Sequence, residues 1–163
     1  MAMLRYSDYT IVLQEVPNEI SLCFTITGCP LACEGCHSQY TWNGNLGEPL
    51  TANFLKNLIC KYIGSISCVL FMGGEWNIGQ LLDLIAISKA QNLKTALYTG
   101  LNKKQIQRYY PELLLQLDYI KTGKWIPALG GLDSPITNQE FLEIETGKVL
   151  NSYFLQKNSS KET

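Results

Sequence analysis

Three of the six cysteines lie close together, at Cys29, Cys33 and Cys36, and the segment from Gly28 to Cys36 is the cysteine loop below. Thiolates at this spacing can reach three corners of one iron–sulfur cube, since such clusters select soft sulfur ligands. The fourth iron would then have no protein ligand, and an open coordination site distinguishes a catalytic cluster from a saturated electron carrier. Gly28 and Gly35 remove side chains where the backbone must turn tightly. The spacing therefore predicts a catalytic iron–sulfur site.

Two other uses of the loop cysteines stay open on spacing alone. They could pack in the core, as isolated cysteines often do, although three in a loop with glycine and proline are poor core formers. They could also bind zinc together with His37, the one histidine of the chain, which directly follows the third cysteine. Zinc ligands more often come as two separated pairs, so the spacing favours iron and sulfur.

A second candidate site is the tetrapeptide Met72-Gly73-Gly74-Glu75, which ends an apolar run. Two glycines let the backbone approach a ligand closely, and a carboxylate is a suitable partner for an ammonium group. Alone, such a tetrapeptide is typical of a turn that ends a strand. Because this tetrapeptide follows the cysteine loop by one strand–helix unit, we interpret it as a ligand-binding site.

The segments around these residues alternate between strand and helix patterns, with Gly or a cap at their ends. The predicted strands cover residues 20–27, 67–72, 94–99 and 117–121, with two further edge strands at 9–16 and 141–144. The predicted helices cover residues 52–62, a segment from residue 78, and residues 102–116 with a disturbance near Pro111.

This alternation indicates an α/β fold with a parallel sheet, whose functional loops follow the carboxyl ends of the strands. A complete eight-unit barrel needs about 250 residues, and this chain has 163. We therefore predict a partial (βα) barrel, open on one side, with about four to six strands. Residues 1–155 are predicted to form a single domain, followed by a polar tail at 156–163 that is expected to be flexible.

Composition limits the classes of function. With 46% hydrophobic and 17% charged residues the chain can fill a core, which excludes a disordered or fibrous protein. A net charge of -1 provides no field for nucleic acid or an anionic membrane, so neither partner is expected. The apolar runs are too short to span a membrane, and residues 1–10 lack a secretion signal. We expect a cytoplasmic protein with reduced thiols.

On these residues the chain resembles the radical S-adenosylmethionine superfamily, whose signature is a CxxxCxxC loop after the first barrel strand. The resemblance implies that the three loop cysteines bind a [4Fe-4S] cluster whose unique iron chelates the methionine part of S-adenosylmethionine. One electron then cleaves the carbon–sulfur bond to give a 5′-deoxyadenosyl radical. Since the radical comes from the cofactor, no side chain is predicted to be catalytic. Gly73, Gly74 and Glu75 match the superfamily's Gly-Gly-Glu motif, which holds the ammonium group.

Within the superfamily the chain is similar to the activating components of anaerobic ribonucleotide reductases, which are small glycyl-radical activases. This similarity extends over residues 9–144 and implies that a glycyl radical is generated on a reductase subunit. It also implies a flavodoxin- or ferredoxin-type electron donor. The matching segments are residues 27–29, 33–38, 40–42, 97–100, 118–123 and 137–139.

The chain departs from the family pattern at three positions. Many members carry an aromatic residue just before the third cysteine to pack on the adenine, whereas this chain has Gly35 there. We therefore expect His37 or Tyr40 to contact the cofactor instead. Trp76 replaces a frequent proline, and Glu140 stands where the reductase activases often have arginine.

Two alternative functions accompany this interpretation. The first is a small-molecule radical enzyme resembling 7-carboxy-7-deazaguanine synthase, although the chain is short for a closed pterin pocket. The second is a non-enzymatic iron–sulfur electron carrier, which would need a fourth thiolate. The other cysteines lie in apolar strand or helix patterns and are expected to pack in the interior; they are Cys23, Cys60 and Cys68. Residues expected in the core or at a partner surface are Tyr109, Tyr110 and Trp125, while Lys121 and Lys124 receive no role.

Overall fold

The computed structural model describes residues 3–159, which form one mixed sheet and five helices. The strands are β1 (Arg5–Val12), β2 (Ser21–Ile26), β3 (Glu48–Pro49), β4 (Cys68–Met72), β5 (Lys94–Tyr98), β6 (Tyr119–Thr122), β7 (Glu140–Glu143) and β8 (Lys148–Val149). The helices are α1 (Ala52–Tyr62), α2 (Ile78–Ala90), α3 (Lys103–Tyr109), α4 (Pro111–Gln116) and α5 (Ser152–Ser159).

The sheet has the strand order β3-β1-β2-β4-β5-β6-β7-β8. Its four central strands, β2, β4, β5 and β6, are parallel, and the remaining neighbours pair antiparallel. The parallel strands are joined through α1, through α2, and through α3 with α4. Because parallel strands end on the same side, the loops after β2, β4, β5 and β6 meet at one edge of the sheet.

The predicted α/β class is confirmed, but the strand count of four to six was too low. The sheet has eight strands and stays open from β3 to β8. β3 and β8 have two residues each, too short for any periodicity to show in the sequence. The open sheet is compatible with the predicted partial barrel, although it does not close into a barrel.

The structure explains the start of one predicted helix and the interruption of another. The hydroxyl of Thr51 accepts from the backbone N–H of Phe54 at 3.1 Å and so caps α1. The predicted helix over 102–116 is divided into α3 and α4 at Pro111. Proline lacks the N–H that a continuing helix needs, but its fixed φ suits a first turn, so a new helix begins there.

Alternate residues of the central strands point to opposite faces of the sheet. The outer face packs against the helices through a large apolar cluster, which includes Leu22, Phe24, Ile26, Val69, Phe71, Leu97 and Ile120. The inner face carries a smaller cluster, formed by Cys23, Cys68, Leu70, Ala96 and Phe141 under Val16, Leu132 and Phe154. Towards the carboxyl edge, the inner face changes to Thr25, Met72, Tyr98 and Lys121.

The predicted tail at 156–163 lies partly outside the described residues. The backbone of α5 continues to Ser159, and residues 160–163 are beyond the part of the chain that the structure describes. Across residues 3–159, no helix combines the length and the apolar character needed to cross a membrane.

Candidate functional site

The cysteine loop leaves the sheet directly after β2 and is closed at its base by backbone hydrogen bonds. Gly28, with a φ of +93°, turns the chain, and its N–H donates to the carbonyl of Thr41 at 2.5 Å. The N–H of Cys29 donates to the same carbonyl at 3.2 Å. Thr41 is itself fixed, because its N–H and its hydroxyl both donate to the carbonyl of Ser38. The loop therefore starts from a defined position at the edge of the sheet.

The three loop cysteines are free and half-buried. The N–H of Cys36 donates to the carbonyl of Cys33 at 3.2 Å, and the N–H of Ser38 donates to the sulfur of Cys36 at 3.4 Å. Burial raises the pKa of the Cys29 thiol, and a hydrogen bond from the backbone of Leu31 partly offsets this. Since iron is bound by thiolates, loading the loop with metal must release protons.

The loop cysteines are not arranged as ligands of one metal ion. Within residues 3–159, no three His, Cys, Asp or Glu side chains are grouped closely enough to hold a single metal ion. A cubane cluster offers a different iron to each thiolate, so its ligands need not converge. The imidazole of His37, the fourth ligand of the zinc alternative, packs edge-on against Trp125 with ring centroids 5.0 Å apart.

The turn after β4 needs glycine at both of its first positions. Gly73 and Gly74 have φ values of +98° and +113°, which favour residues without a Cβ. A Cβ on Gly73 would lie 2.6 Å from Cη2 of Trp76, whereas one on Gly74 would contact core side chains of the outer face. The indole of Trp76 also reaches Gly28, where its Nε1 lies 3.3 Å from the position of a Cβ. Trp76 thus packs the turn against the start of the cysteine loop.

The turn delivers Glu75 to the interior of the site, where its side chain is only 3% exposed. One carboxylate oxygen, Oε1, accepts from the hydroxyl of Thr99 at 2.8 Å. The other, Oε2, is buried without a hydrogen-bond partner among the described residues. Burial raises the pKa of this carboxyl, while its own backbone N–H, Thr99 and Lys121 act in the opposite direction. An unpaired buried acceptor of this kind is suited to a ligand that donates hydrogen bonds.

Lys121 approaches the same site from β6, although the sequence analysis gave it no role. Its ammonium donates to the carbonyls of Thr99 and Gly123 at 3.2 and 3.1 Å and lies 5.7 Å from the ring centroid of Tyr98. Burial lowers the pKa of Lys121 to about 8, although Cys33, Glu75 and Cys29 act to raise it. The signal that could have found it is strand alternation, which places Lys121 on the inner face beside the end of β5.

These elements enclose a cavity of about 390 Å³ at the carboxyl edge of the inner face. Of the residues predicted for the site, five line it: Cys29, Cys36, Tyr40, Gly73 and Glu75. Cys33, His37 and Gly74 are not among its lining residues. A second cavity of about 420 Å³ lies next to it and shares Tyr98 and Lys121 with it.

The residues present fit an iron–sulfur cluster with a bound amino-acid group. The cysteine loop supplies three thiols, and Gly73 lines the cavity beside two of them. The unpaired oxygen of Glu75 can accept from an ammonium group, and Lys121 supplies a positive charge within the same cavity. A cavity with one acid and one base matches a zwitterion, such as the methionine end of S-adenosylmethionine.

Comparisons with known proteins point to the same chemistry. The model of the family described as "4Fe-4S single cluster domain" matches residues 20–136, which include the cysteine loop, the Glu75 turn and Lys121. The "Anaerobic ribonucleoside-triphosphate reductase-activating protein" of Enterobacteria phage T4 is 31% identical over 107 residues, covering 61% of this chain and 67% of the relative. No solved structure is significantly similar to the chain.

A second relative is the "Pyruvate formate-lyase-activating enzyme" of Clostridium pasteurianum, which is 30% identical over 103 residues. That match covers 57% of this chain and 43% of the relative, so the chain spans less than half of that protein's length. Both names describe proteins that activate another enzyme.

Proposed function

Since this chain belongs to the 4Fe-4S single cluster domain family, we propose that it generates a glycyl radical on an anaerobic ribonucleotide reductase. The family match and the two activating relatives confirm the predicted superfamily, the predicted enzyme class, and a [4Fe-4S] cluster and S-adenosylmethionine as cofactors. The reductase as target is supported by the 31% identity to the reductase-activating protein.

The observation that carries the proposal is the position of Glu75 in the cavity that Cys29 and Cys36 also line. We assign the cluster to the three loop cysteines and the ammonium of S-adenosylmethionine to Oε2 of Glu75. Thr99 fixes Oε1, so the free oxygen keeps one orientation before the ligand arrives. Lys121 balances the negative charge of the thiolates and the carboxylate and is available to the ligand's carboxylate.

When bound, the cluster and S-adenosylmethionine would supply, with one electron from the donor, the radical chemistry that takes a hydrogen atom from a neighbouring C–H bond. The chain's own residues hold these groups and exclude water from part of the site. Leu132 and Phe154, from the apolar cluster of the inner face, line the adjoining cavity of about 420 Å³. The cavity of about 390 Å³ at the site is at the lower end of the range for ligand pockets and suits one ligand of cofactor size.

The sheet that carries both cavities stays open from β3 to β8, which favours a loop of a large partner over a small molecule enclosed by this chain. A docked loop would also exclude solvent while it presents the target glycine. The proposed electron donor is a flavodoxin or ferredoxin. A single domain over residues 1–155 and a cytoplasmic location stay predictions.

The electron-carrier alternative is disfavoured by where the remaining cysteines lie. Cys23 and Cys68 are buried in the apolar cluster of the inner face, where burial raises the pKa of each thiol to about 12. Cys60 was expected in the interior, and this prediction is wrong: it lies on the exposed side of α1, whose buried residues are Leu55, Leu58 and Ile59. The loop therefore keeps three cysteine ligands, as a cluster with an open iron requires.

The test combines the anaerobically reduced, iron-loaded protein with S-adenosylmethionine and a candidate anaerobic reductase. We expect a glycyl-type doublet in electron paramagnetic resonance that disappears when the reductase's target glycine is replaced by alanine. The matched control is the Cys33→Ala variant, which should give no doublet with the unmodified reductase. Turnover of a free pterin without any doublet would contradict the proposal and favour the deazaguanine-type alternative.

A further inference from the structure

Three buried polar side-chain atoms among the described residues have no hydrogen-bond partner: Ser21 Oγ, Glu75 Oε2 and Trp125 Nε1. Leaving such a group unpaired is destabilising, so each one requires an explanation. Glu75 faces the candidate site, and Ser21 lies against the thiol of Cys68. The indole N–H of Trp125 is a hydrogen-bond donor, and no acceptor for it lies among the described residues.

The N–H of Trp125 lies against the cysteine loop. Trp125 belongs to the segment between β6 and β7, and its Nε1 is 3.4 Å from the position that a Cβ on Gly35 would take. Gly35 lies between Cys33 and Cys36 and has a φ of +69°. The place of its missing Cβ is bordered by Cγ of Pro127 at 2.9 Å as well as by the indole nitrogen. The indole nitrogen therefore lies close to the short stretch of backbone that carries two of the three loop cysteines.

The indole is held in this orientation by contacts on its other sides. The ring of His37 packs against it at an interplanar angle of 62°. Its Cζ3 atom lies 3.5 Å from the position of a Cβ on Gly131. The segment itself is tied down, because the amide of Asn138 donates to the carbonyl of Lys124 at 3.1 Å. Trp125 is thus fixed before any cofactor binds.

We propose that the indole N–H of Trp125 donates a hydrogen bond to a sulfur atom of the cluster and thereby raises its reduction potential. The inference rests on the proposed function only in requiring that the three loop cysteines hold the cluster. Reduction adds negative charge to the cluster, and a donor stabilises the more negative state, so hydrogen bonds to sulfur set the potential. Trp125 acts as a positioning and tuning residue that takes no part in the hydrogen transfer.

The first experiment compares Trp125→Phe with Trp42→Phe in the full, iron-loaded chain. Phenylalanine keeps an aromatic ring and removes the N–H, while Trp42 is 37% exposed on the short helix after the loop. We expect an anaerobic redox titration of Trp125→Phe to show a roughly tenfold smaller equilibrium constant for reduction, equivalent to about 59 mV towards more negative potential. Trp42→Phe should leave the potential unchanged, and neither variant should change the affinity for S-adenosylmethionine.

The second experiment requires no stable Trp125 variant. Wild-type protein labelled with ¹⁵N in the indole rings is reduced, and pulsed electron paramagnetic resonance should detect a ¹⁵N coupling to the cluster. The coupling should persist in Trp42→Phe and Trp76→Phe and be lost in Trp125→Phe if that variant retains its iron. Absence of the coupling in the wild type would overturn the inference, whatever happens to the variant.

An unchanged potential in Trp125→Phe together with weaker binding of S-adenosylmethionine would also overturn it, because the ring would then contact the nucleotide. Both measurements use the activase without a partner protein. A failure of the proposed function would therefore appear as a missing glycyl radical while the ¹⁵N coupling was still present. The two hypotheses can be rejected separately.

Discussion

The two faces of the central sheet are built by the same strands and carry different kinds of side chain. On the outer face Phe24 and Phe71 are fully buried and stack with ring centroids 6.0 Å apart, with helices packed above them. On the inner face, the apolar cluster gives way at the carboxyl edge to Lys121 and, from the adjoining turn, Glu75. Neighbouring residues of one strand thus contribute to two different environments.

The outer face stabilises the fold, whereas polar groups at the inner edge lower its stability. The outer face buries apolar surface, which is the main favourable contribution to folding. The inner edge contains a buried carboxylate oxygen and an indole N–H that have no hydrogen-bond partner among the described residues. It also contains an ammonium whose pKa is lowered by burial. Each of these groups destabilises the empty protein, and bound ligands that supply the missing partners would restore stability.

The largest expected effect is loss of the cluster from the inner edge. Cys33→Ala should reduce the iron content from about four atoms per chain, as one cubane implies, to a residual level. Cys60→Ala is the matched control, because Cys60 is exposed on α1 and should leave the iron unchanged. Iron analysis and visible absorption after anaerobic reconstitution measure both. Retention of iron in Cys33→Ala, or stoichiometric zinc without charge-transfer absorption, would contradict the assignment.

A substitution on the outer face should lower the stability of the protein without changing its iron binding. Phe71→Ala removes a fully buried ring from the outer cluster and should lower the free energy of unfolding by about 3 to 5 kcal/mol. Chemical denaturation of the cluster-free protein measures this. The iron bound per folded chain should stay at the wild-type value. A loss of iron from the folded fraction would show that the two faces are not separable.

The buried ammonium of Lys121 should make stability depend on pH. Its pKa is lowered from an ordinary value of 10.5 to about 8, so the unfolded chain binds the proton more tightly between these values. Stability of the cluster-free protein should therefore rise from pH 8 to about pH 10.5, by roughly 2 to 3 kcal/mol. Denaturation at several pH values, with Lys121→Met as the reference without this amine, isolates the effect. An equal pH dependence in both proteins would show that Lys121 is solvated.

Replacement of Glu75 should weaken ligand binding without removing the cluster. Glu75→Gln keeps the shape of the side chain but replaces a charge-assisted hydrogen bond, which is worth about 1.5 to 3 kcal/mol. We expect the affinity for S-adenosylmethionine to fall roughly tenfold to a hundredfold in calorimetry, with the cluster still in place. Wild-type binding by this variant would mean that another residue holds the ammonium group.

The features that sequence predicted well are those specified by neighbouring residues. Cysteine spacing, the paired glycines before Glu75 and the cap at Thr51 all lie within a few positions of what they organise. Lys121 and Trp125 were not predicted as parts of the site, because their relation to the cysteine loop is long-range. Only the pairing of β5 with β6 places Lys121 beside Tyr98, and only the fold of the segment after β6 brings Trp125 onto Gly35.

The cofactor contact shows the same limit from the other direction. His37 and Tyr40 were both predicted from their closeness to the third cysteine. The structure places Tyr40 at the cavity and turns His37 towards Trp125. Both residues follow the cysteine loop within four positions, while the direction of each side chain depended on tertiary packing.

The central claim is that the site at the inner edge holds the cofactors that take a hydrogen atom from a glycine of a partner protein. The most direct measurement uses a reductase in which glycine carries deuterium at Cα, mixed with the reduced activase and S-adenosylmethionine. The deuterium content of the 5′-deoxyadenosine that forms is then measured by mass spectrometry. Our account predicts that deuterium appears in this product in parallel with the glycyl radical. Formation of unlabelled 5′-deoxyadenosine alone, with the partner's glycine intact, would contradict it.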